Sequence, residues 1–255
     1  MPADDQSMLE DAVSRSENAA PVAIVTGGTG AIGSAICARL QTARLHVVAA
    51  DLDAQPVPQG QTFFACDVSD PAKVDELLGF AAHLGPVTCI VAAHGILLET
   101  PAGAADLAAV SRILDINLKS VAYLCDLARR YLAPPASIVL ISSWTAFAGR
   151  IRNGYGYQAA KAGLESLTRT FAVAYGPDGV RVNAVAPGFM ADPMKGMGAE
   201  MRVRQGGMDG VIQGAPLRKL VTSAEVASAV GFLCSSEASA ITGVVLPVDA
   251  GYRAL

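Results

Sequence analysis

The stretch Val22-Ala23-Ile24-Val25-Thr26-Gly27-Gly28-Thr29-Gly30-Ala31-Ile32-Gly33 constrains the fold more than any other part of the chain. It opens on an apolar run bounded by Pro21 and a glycine cluster, the pattern of a strand buried on both faces. A helical pattern follows through Ile36, Ala38 and Leu40. Gly28, Gly30 and Gly33 spell G-x-G-x-x-G between the two. Glycines there allow a tight turn and let backbone N–H groups approach a pyrophosphate at the positive end of the helix. The spacing alone is a weak signal, because a glycine-rich turn needs no ligand. A second apolar run, residues 45–50, strengthens it by ending at Asp51, 18 residues beyond Gly33. A carboxylate at that place accepts hydrogen bonds from the adenosine ribose hydroxyls and repels a 2′-phosphate. No Arg or Lys stands in the glycine loop or directly after Asp51, so these residues favour NAD over NADP.

Comparable runs recur along the chain. Residues 62–66, 87–93, 138–142, 180–186 and 243–248 read as further strands. Between them lie helical patterns: one opened by Asp70-Pro71, one over 106–132, one over 157–175 stopped by Gly176-Pro177, and one over 223–234. The 106–132 helix is expected to run about seven turns, with Asn117 at its middle. Strands alternating with helices predict an α/β fold: one domain over residues 21–255, a Rossmann-like doubly wound parallel sheet of about seven strands with helices on both faces. Residues 1–20 hold five acidic side chains, with no basic start and no apolar core. They read as a disordered tail rather than a secretion signal. Residues 189–216 are rich in glycine and methionine and weakly periodic. A loop this long in a compact domain is usually functional, and methionine adapts to varied shapes. We read it as a mobile, partly helical lid over an apolar pocket.

Candidate chemistry centres on Tyr157 and Lys161. Four residues apart in a segment of helix formers, they share one helix face. A free phenol titrates near ~10, and a nearby cation lowers that value, which makes Tyr157 a candidate general acid or base. Such a pair is common without function. Ser143 adds to it: a hydroxyl at the carboxyl end of an apolar strand stands where open α/β sheets place ligands. Asn117 reads from the residues alone as a satisfied core amide.

Composition excludes several classes. The net charge of −4 leaves no basic footprint for nucleic acid or an anionic membrane, and no apolar run approaches a membrane span. Cys37, Cys66, Cys89, Cys125 and Cys234 are scattered and odd in number, so a disulfide framework or zinc site is not expected and a reducing cytoplasm fits. His46, His83 and His94 lack metal-ligand spacing.

Together, residues 26–33, Asp51, Asp67-Val68, Asn117, Ser143, Tyr157-x-x-x-Lys161, Val180-Arg181-Val182-Asn183 with Pro187-Gly188, and Ile241-Thr242-Gly243 with Val248-Asp249 resemble the short-chain dehydrogenase/reductase family. The likeness runs from Val22 to about Tyr252. It implies Tyr157 as acid/base, Ser143 polarising the substrate oxygen, and Lys161 binding the nicotinamide ribose and depressing the tyrosine pKa. It implies that Asn117 holds a water in a proton relay, through a local break in its helix. By the same resemblance Gly27, Gly30, Ile32, Asp51 and Leu52 line NAD, as do Asp67, Val68, Ala93 and Gly95, and further on Pro187, Gly188 and Met190. It also implies a homotetramer.

Four departures stand out. Ala31 replaces a usual glycine, so the loop reads T-G-x-x-G-x-x-G, as in a longer, epimerase-like branch whose larger substrate domain has no room here. Ala92-Ala93-His94-Gly95 replaces Asn-Asn-Ala-Gly, and His94 is expected at the edge of the active site. The Ser143–Tyr157 spacing is one residue longer than usual, so a bulge is expected between Trp144 and Gly156. Asp192 takes the place of a threonine that contacts the nicotinamide amide. The expected activity is NAD-dependent interconversion of a secondary alcohol and a ketone. A 3-oxoacyl-thioester reductase, with Arg150, Arg152, Arg202 and Arg204 holding an acyl carrier, is the nearest rival. A non-catalytic nucleotide-sensing or scaffold protein is the rival of another class.

Overall fold

The computed structural model describes residues 19–147, 154–192 and 208–254. Nearly all of the expected tail, much of the expected bulge and lid, and Arg150, Arg152, Arg202 and Arg204 lie outside the described residues.

Seven strands form one parallel sheet: β1 (Val22–Thr26), β2 (His46–Asp51), β3 (Gln61–Ala65), β4 (Val87–Ala92), β5 (Leu132–Ile141), β6 (Val180–Pro187) and β7 (Val245–Val248), in the order β3-β2-β1-β4-β5-β6-β7. The helices are α1 (Ala31–Thr42), α2 (Pro71–Leu84), α3 (Leu107–Leu114), α4 (Ser120–Ala128), α5 (Tyr155–Tyr175), α6 (Met208–Gly214) and α7 (Ser223–Cys234). The expected doubly wound architecture is what the chain adopts.

Burial on both faces explains the continuous apolar runs. All five residues of β1 are buried. One face packs Val74 and Leu77 of α2, Val121 and Leu124 of α4 and Leu164 of α5 against Ile24, Ile90 and Ile138. The other packs Ile36 and Leu40 of α1 and Val226, Val230 and Leu233 of α7 against Ala23, Val91 and Val139. Each such aliphatic side chain contributes about 1.5–3 kcal/mol on leaving water, so a polar residue in these layers has to have partners.

Two expectations need correction. The helix expected over 106–132 carries the local break that the resemblance implies at Asn117: residues Asp115–Lys119 form a π-helical turn between α3 and α4. It also ends earlier, at Ala128, and β5 begins at Leu132, with a cis peptide bond between Pro134 and Pro135. Finally, α5 starts at Tyr155, so Tyr157 lies in its first turn.

The chain winds from β1 through β2 to β3 on one side and returns to β4 on the other flank of β1. Ligands of open α/β sheets bind at such a switch point, beyond the carboxyl ends of the strands. A Cβ on Gly27 would sit 2.6 Å from the His94 Cα, so the loops after β1 and β4 touch there. No helix among the described residues is long and apolar enough to cross a membrane.

Candidate active site

The glycine turn is shaped by close approach. Gly27 has φ +68°, in the left-handed region that disfavours side chains, and a Cβ on Gly33 would run into the carbonyl oxygen of Gly27. The turn delivers the chain to α1, whose N-cap Gly30 provides no side-chain cap and whose first turn holds no acidic residue. That leaves a helix N-terminus whose N–H groups and dipole are available to an anion. At the end of β2, Asp51 Oδ2 accepts from the Thr29 hydroxyl at 2.5 Å and the Thr29 N–H at 3.2 Å, and Oδ1 accepts from Leu52 N–H at 2.9 Å. Oδ2 has both lone pairs engaged, and one lone pair of Oδ1 remains for a ribose hydroxyl. Thr29, invisible as a partner in the sequence because 22 residues separate it from Asp51, therefore orients the carboxylate. Asp67 accepts from the Ser69 N–H and hydroxyl, which hold its carboxyl below the usual range, and Val68 behind it is buried. Ile32 and Ala93 are partly buried against the α1 side of the core, while Leu52 is exposed.

Across the switch point the structure gathers the other expected residues. Asn117, fully buried in the π-turn, donates from Nδ2 to the Ile96 carbonyl and accepts at Oδ1 from the Ile96 N–H, both at 2.7 Å. A Cβ on Gly95 would lie 3.1 Å from Asn117 Oδ1 and 3.6 Å from Lys161 Nζ, so glycine lets these two side chains converge on the β4 loop. Lys161 Nζ donates to the Ile141 carbonyl at 2.7 Å and stands 5.6 Å from the centre of the Tyr157 ring. Ser143, just past β5, is buried, accepts from the Thr145 hydroxyl at 2.9 Å, and lies close enough to Tyr157 to lower its phenol.

The protonation pattern differs from the expected one. Burial pushes the Tyr157 phenol up to about 12, while Ser143 pulls the other way. Burial pushes Lys161 down to about 8. The lysine serves the Ile141 carbonyl, and desolvation outweighs any help its charge gives the phenol.

His94 lies beneath the site rather than at its edge. Its Nδ1 is 2.6 Å from Thr26 Oγ1 and its Nε2 2.8 Å from Ser120 Oγ. The Ser120 hydroxyl donates to the Ile116 carbonyl at 2.6 Å, so Ser120 accepts from an Nε2–H and Nδ1 accepts from Thr26. Burial, with Lys161 adding to it, lowers the imidazole to about 3 and keeps it neutral. Thr26 and Ser120 had no sequence signal, since both read as ordinary strand and helix residues.

On the far side, the Gly188 N–H donates to the Val248 carbonyl at 2.9 Å, following Pro187 at the end of β6. Met190 bridges to Val221, and Asp192 Oδ2 accepts from Ser223 N–H at 2.9 Å. The Asp192 carboxylate is therefore engaged by the start of α7. Trp144, Phe189 and Tyr252 stack on one another with ring centres 4.6–5.2 Å apart. Trp144 is buried in that stack and forms a wall beside Ser143. Among the described residues no cluster of His, Cys, Asp or Glu could hold a metal ion.

A glycine turn at a helix N-terminus, a strand-end carboxylate and a Ser–Tyr–Lys–Asn group at one switch point define a dinucleotide-dependent oxidoreductase. A family model described as enoyl-(acyl carrier protein) reductase matches residues 28–253. The chain is 35% identical over 248 residues to cis-4-hydroxycyclohexanecarboxylate dehydrogenase of Sinomonas cyclohexanicum, covering 92% of this chain and 97% of that protein. It is 33% identical to the 3-oxoacyl-[acyl-carrier-protein] reductase MabA of Mycobacterium avium, over 89% and 88% of the two chains. It superposes on the aldohexose dehydrogenase of Thermoplasma acidophilum with a TM-score of 0.85 at 30% identity, over 94% and 96% of the two chains. The chain belongs to the short-chain dehydrogenase/reductase family.

Proposed function

We propose that the protein interconverts a secondary alcohol and a ketone with NAD as the hydride partner, Tyr157 acting as the acid/base. The observation that carries this reading is convergence at the carboxyl end of β5: Ser143 is buried just past that strand, Lys161 Nζ stands 5.6 Å from the Tyr157 ring, and Asn117 meets Lys161 across Gly95. A nicotinamide dinucleotide fits the residues present: the uncapped α1 N-terminus suits its pyrophosphate, and Asp51, steadied by Thr29, suits a ribose diol and repels a 2′-phosphate. Bound there, such a dinucleotide would supply the hydride acceptor or donor.

The chain's own residues do the rest. In oxidation, the Tyr157 phenolate removes the hydroxyl proton of an alcohol held between Tyr157 and Ser143, and the Ser143 hydroxyl donates to that oxygen as it becomes a carbonyl. Lys161 holds the nicotinamide ribose and, with Asn117, forms the proton path away from the phenol. Burial, which raises the phenol to about 12, suits Tyr157 as the proton donor in the reductive direction.

For the substrate we infer a cyclic secondary alcohol or ketone. The aromatic wall of Trp144, Phe189 and Tyr252 suits an apolar ring, and one relative is named for a hydroxycyclohexane carboxylate, another, at 34% identity, for a formylbenzenesulfonate. The similarity to a 3-oxoacyl-[acyl-carrier-protein] reductase keeps thioester reduction as a second reading, against which the Asp51 carboxylate counts if that reaction draws on NADPH. The test is Tyr157→Phe, assayed with NAD and a panel of cyclic secondary alcohols and by calorimetric NAD titration. Turnover is expected to vanish with NAD affinity within a few-fold of wild type. Full turnover in the variant refutes the assignment, and a wild type that binds NAD but oxidises nothing and reduces no ketone or thioester favours a sensor or scaffold.

A further inference from the structure

Of the five cysteines, two meet. Cys89 lies in β4, 1% exposed, and Cys234 is the last residue of α7, half-buried. Their sulfurs are 2.9 Å apart although 145 residues separate them in sequence. A disulfide needs ~2.05 Å between sulfurs, so under an ångström of approach joins them. The surroundings hold both sulfurs in place. Cys89 is paired on both flanks, with Ala23 of β1 and Ser137 of β5. The Ser137 hydroxyl donates to the Leu233 carbonyl at 3.0 Å, which pins the residue before Cys234. Arg181 of β6 donates to the Ser235 carbonyl at 3.0 Å, which pins the residue after it, and its guanidinium charge acts on both sulfurs. The hydrogen bond to Cys234 and burial hold the Cys89 thiol well above its usual range, against the Arg181 charge, so Cys89 stays a thiol until Cys234 is oxidised. Cys37, Cys66 and Cys125 are buried, and the hydrogen bonds of the first two run to carbonyl oxygens, not to sulfur.

We propose that Cys89 and Cys234 form an oxidation site, at which a hydroperoxide converts the dithiol to an intramolecular disulfide that staples the end of α7 to β4. Cys234, the half-buried partner, attacks the O–O bond as thiolate and becomes a sulfenic acid, releasing water or an alcohol. Cys89 then displaces the hydroxyl group from the Cys234 sulfur, and this leaves as water. In sum two S–H bonds and one O–O bond break, one S–S bond and two O–H bonds form, and two electrons pass from sulfur to oxygen. A dithiol reverses the step. The bond would close a long loop and so constrain the unfolded chain strongly. It would tie the α1/α7 layer, whose α1 N-terminus opens at the glycine turn, to the central sheet. None of this depends on the reaction proposed above.

The experiment treats the full chain with hydrogen peroxide, counts thiols after denaturation, maps peptides and records thermal melts. Thiols are expected to fall from five to three per chain, with the Cys89 and Cys234 peptides linked, the change reversed by dithiothreitol, and a higher melting temperature. Cys234→Ser, at the half-buried position, is expected to keep all its remaining thiols under the same treatment. Cys89→Ala, which brings no polar atom into β4, should leave Cys234 oxidised but unlinked; it replaces Cys89→Ser if that variant does not fold. Retention of five thiols, oxidation of Cys234 beyond sulfenic acid without linkage, or linkage between chains overturns the proposal. A linked chain that melts no higher overturns the stapling.

Discussion

His94 offers a direct test of how the site is built. Its imidazole is buried and neutral, held below its ordinary 6.5 at about 3. The charges that act on it oppose each other: Lys161 lowers it and Asp51 raises it, with burial the larger influence. Between those two pH values the unfolded chain carries a proton that the folded chain refuses. Unfolding then takes up a proton, so stability rises with pH across this window and falls on acidification. The slope for one group is about 1.4 kcal/mol per pH unit. Integrated from pH 7.5 to pH 5, it amounts to about 2 kcal/mol, a large share of a typical domain's 5–15 kcal/mol. The comparison is wild type against His94→Asn, whose amide offers a donor and an acceptor but does not titrate. Urea unfolding of both at pH 7.5, 6 and 5 gives two slopes, and His46 and His83 contribute equally to each. The wild type should lose about 2 kcal/mol more than the variant over this span, whatever the variant's absolute stability. Parallel slopes would show that the imidazole protonates inside the fold, and the Thr26–His94–Ser120 connection would be wrong.

Two further outcomes follow from buried or oriented charge. Lys161 is lowered to about 8 from 10.5 by burial, so wild-type stability rises with pH between those values. Lys161→Met should melt higher than wild type at pH 7, by the equivalent of about 1–3 kcal/mol once the lost bond to Ile141 is counted, with the gap narrowing toward pH 10 and turnover lost; a lower-melting variant contradicts the desolvation argument. Asp51→Ala should reduce the kcat/KM preference for NAD over NADP by roughly tenfold or more, about 1.4 kcal/mol, and an unchanged preference discredits both Asp51 and its Thr29 support.

Whatever two-sided burial dictates could be read from the chain. The apolar runs at 22–25, 45–50 and 180–186 became β1, β2 and β6 with ends shifted by a residue or so, because each strand lies between two helical layers and tolerates no polar alternation. The helix read over 223–234 is α7 as found, and the fold anchors its start with a capping box of Thr222 and Glu225. The start of β5 was not, since Pro134-Pro135 reads as a breaker, yet the strand runs through it at the end where Leu132 pairs with Val87. The meeting of Ser143, Tyr157 and Lys161 was legible from the strand end and the i,i+4 spacing, whereas Asn117 joined them only through the family resemblance. Their protonation did not, because burial, which raises Tyr157 and lowers Lys161, belongs to the packed chain and not to i,i+4 spacing. Thr29, Thr26 and Ser120 were missed for a related reason. Each acts on a residue that only the tertiary fold brings near: Thr29 on Asp51, Thr26 and Ser120 on His94.

The π-turn shows how those missed residues and the motif residues depend on each other. An added residue within a helix advances the register by about 100°, so α3 can pack on α5 while α4 faces the sheet beside α2. Such turns are rare and weakly bonded, and one persists where its surroundings hold it. Here the holds are countable. Ser120 N–H reaches back five residues to the Asp115 carbonyl, which leaves the Ile116 carbonyl to the Ser120 hydroxyl. His94 fixes that hydroxyl from below, and Asn117 fixes the turn from above through both Ile96 bonds. Both holds come from the loop after β4, whose Gly95 also brings Asn117 toward Lys161. His94 in turn accepts from Thr26, the last residue of β1 before the glycine turn. A change in that neutral imidazole therefore reaches the cofactor side and the proton side of the site together, although His94 touches neither Tyr157 nor Asp51 by any hydrogen bond in the described residues.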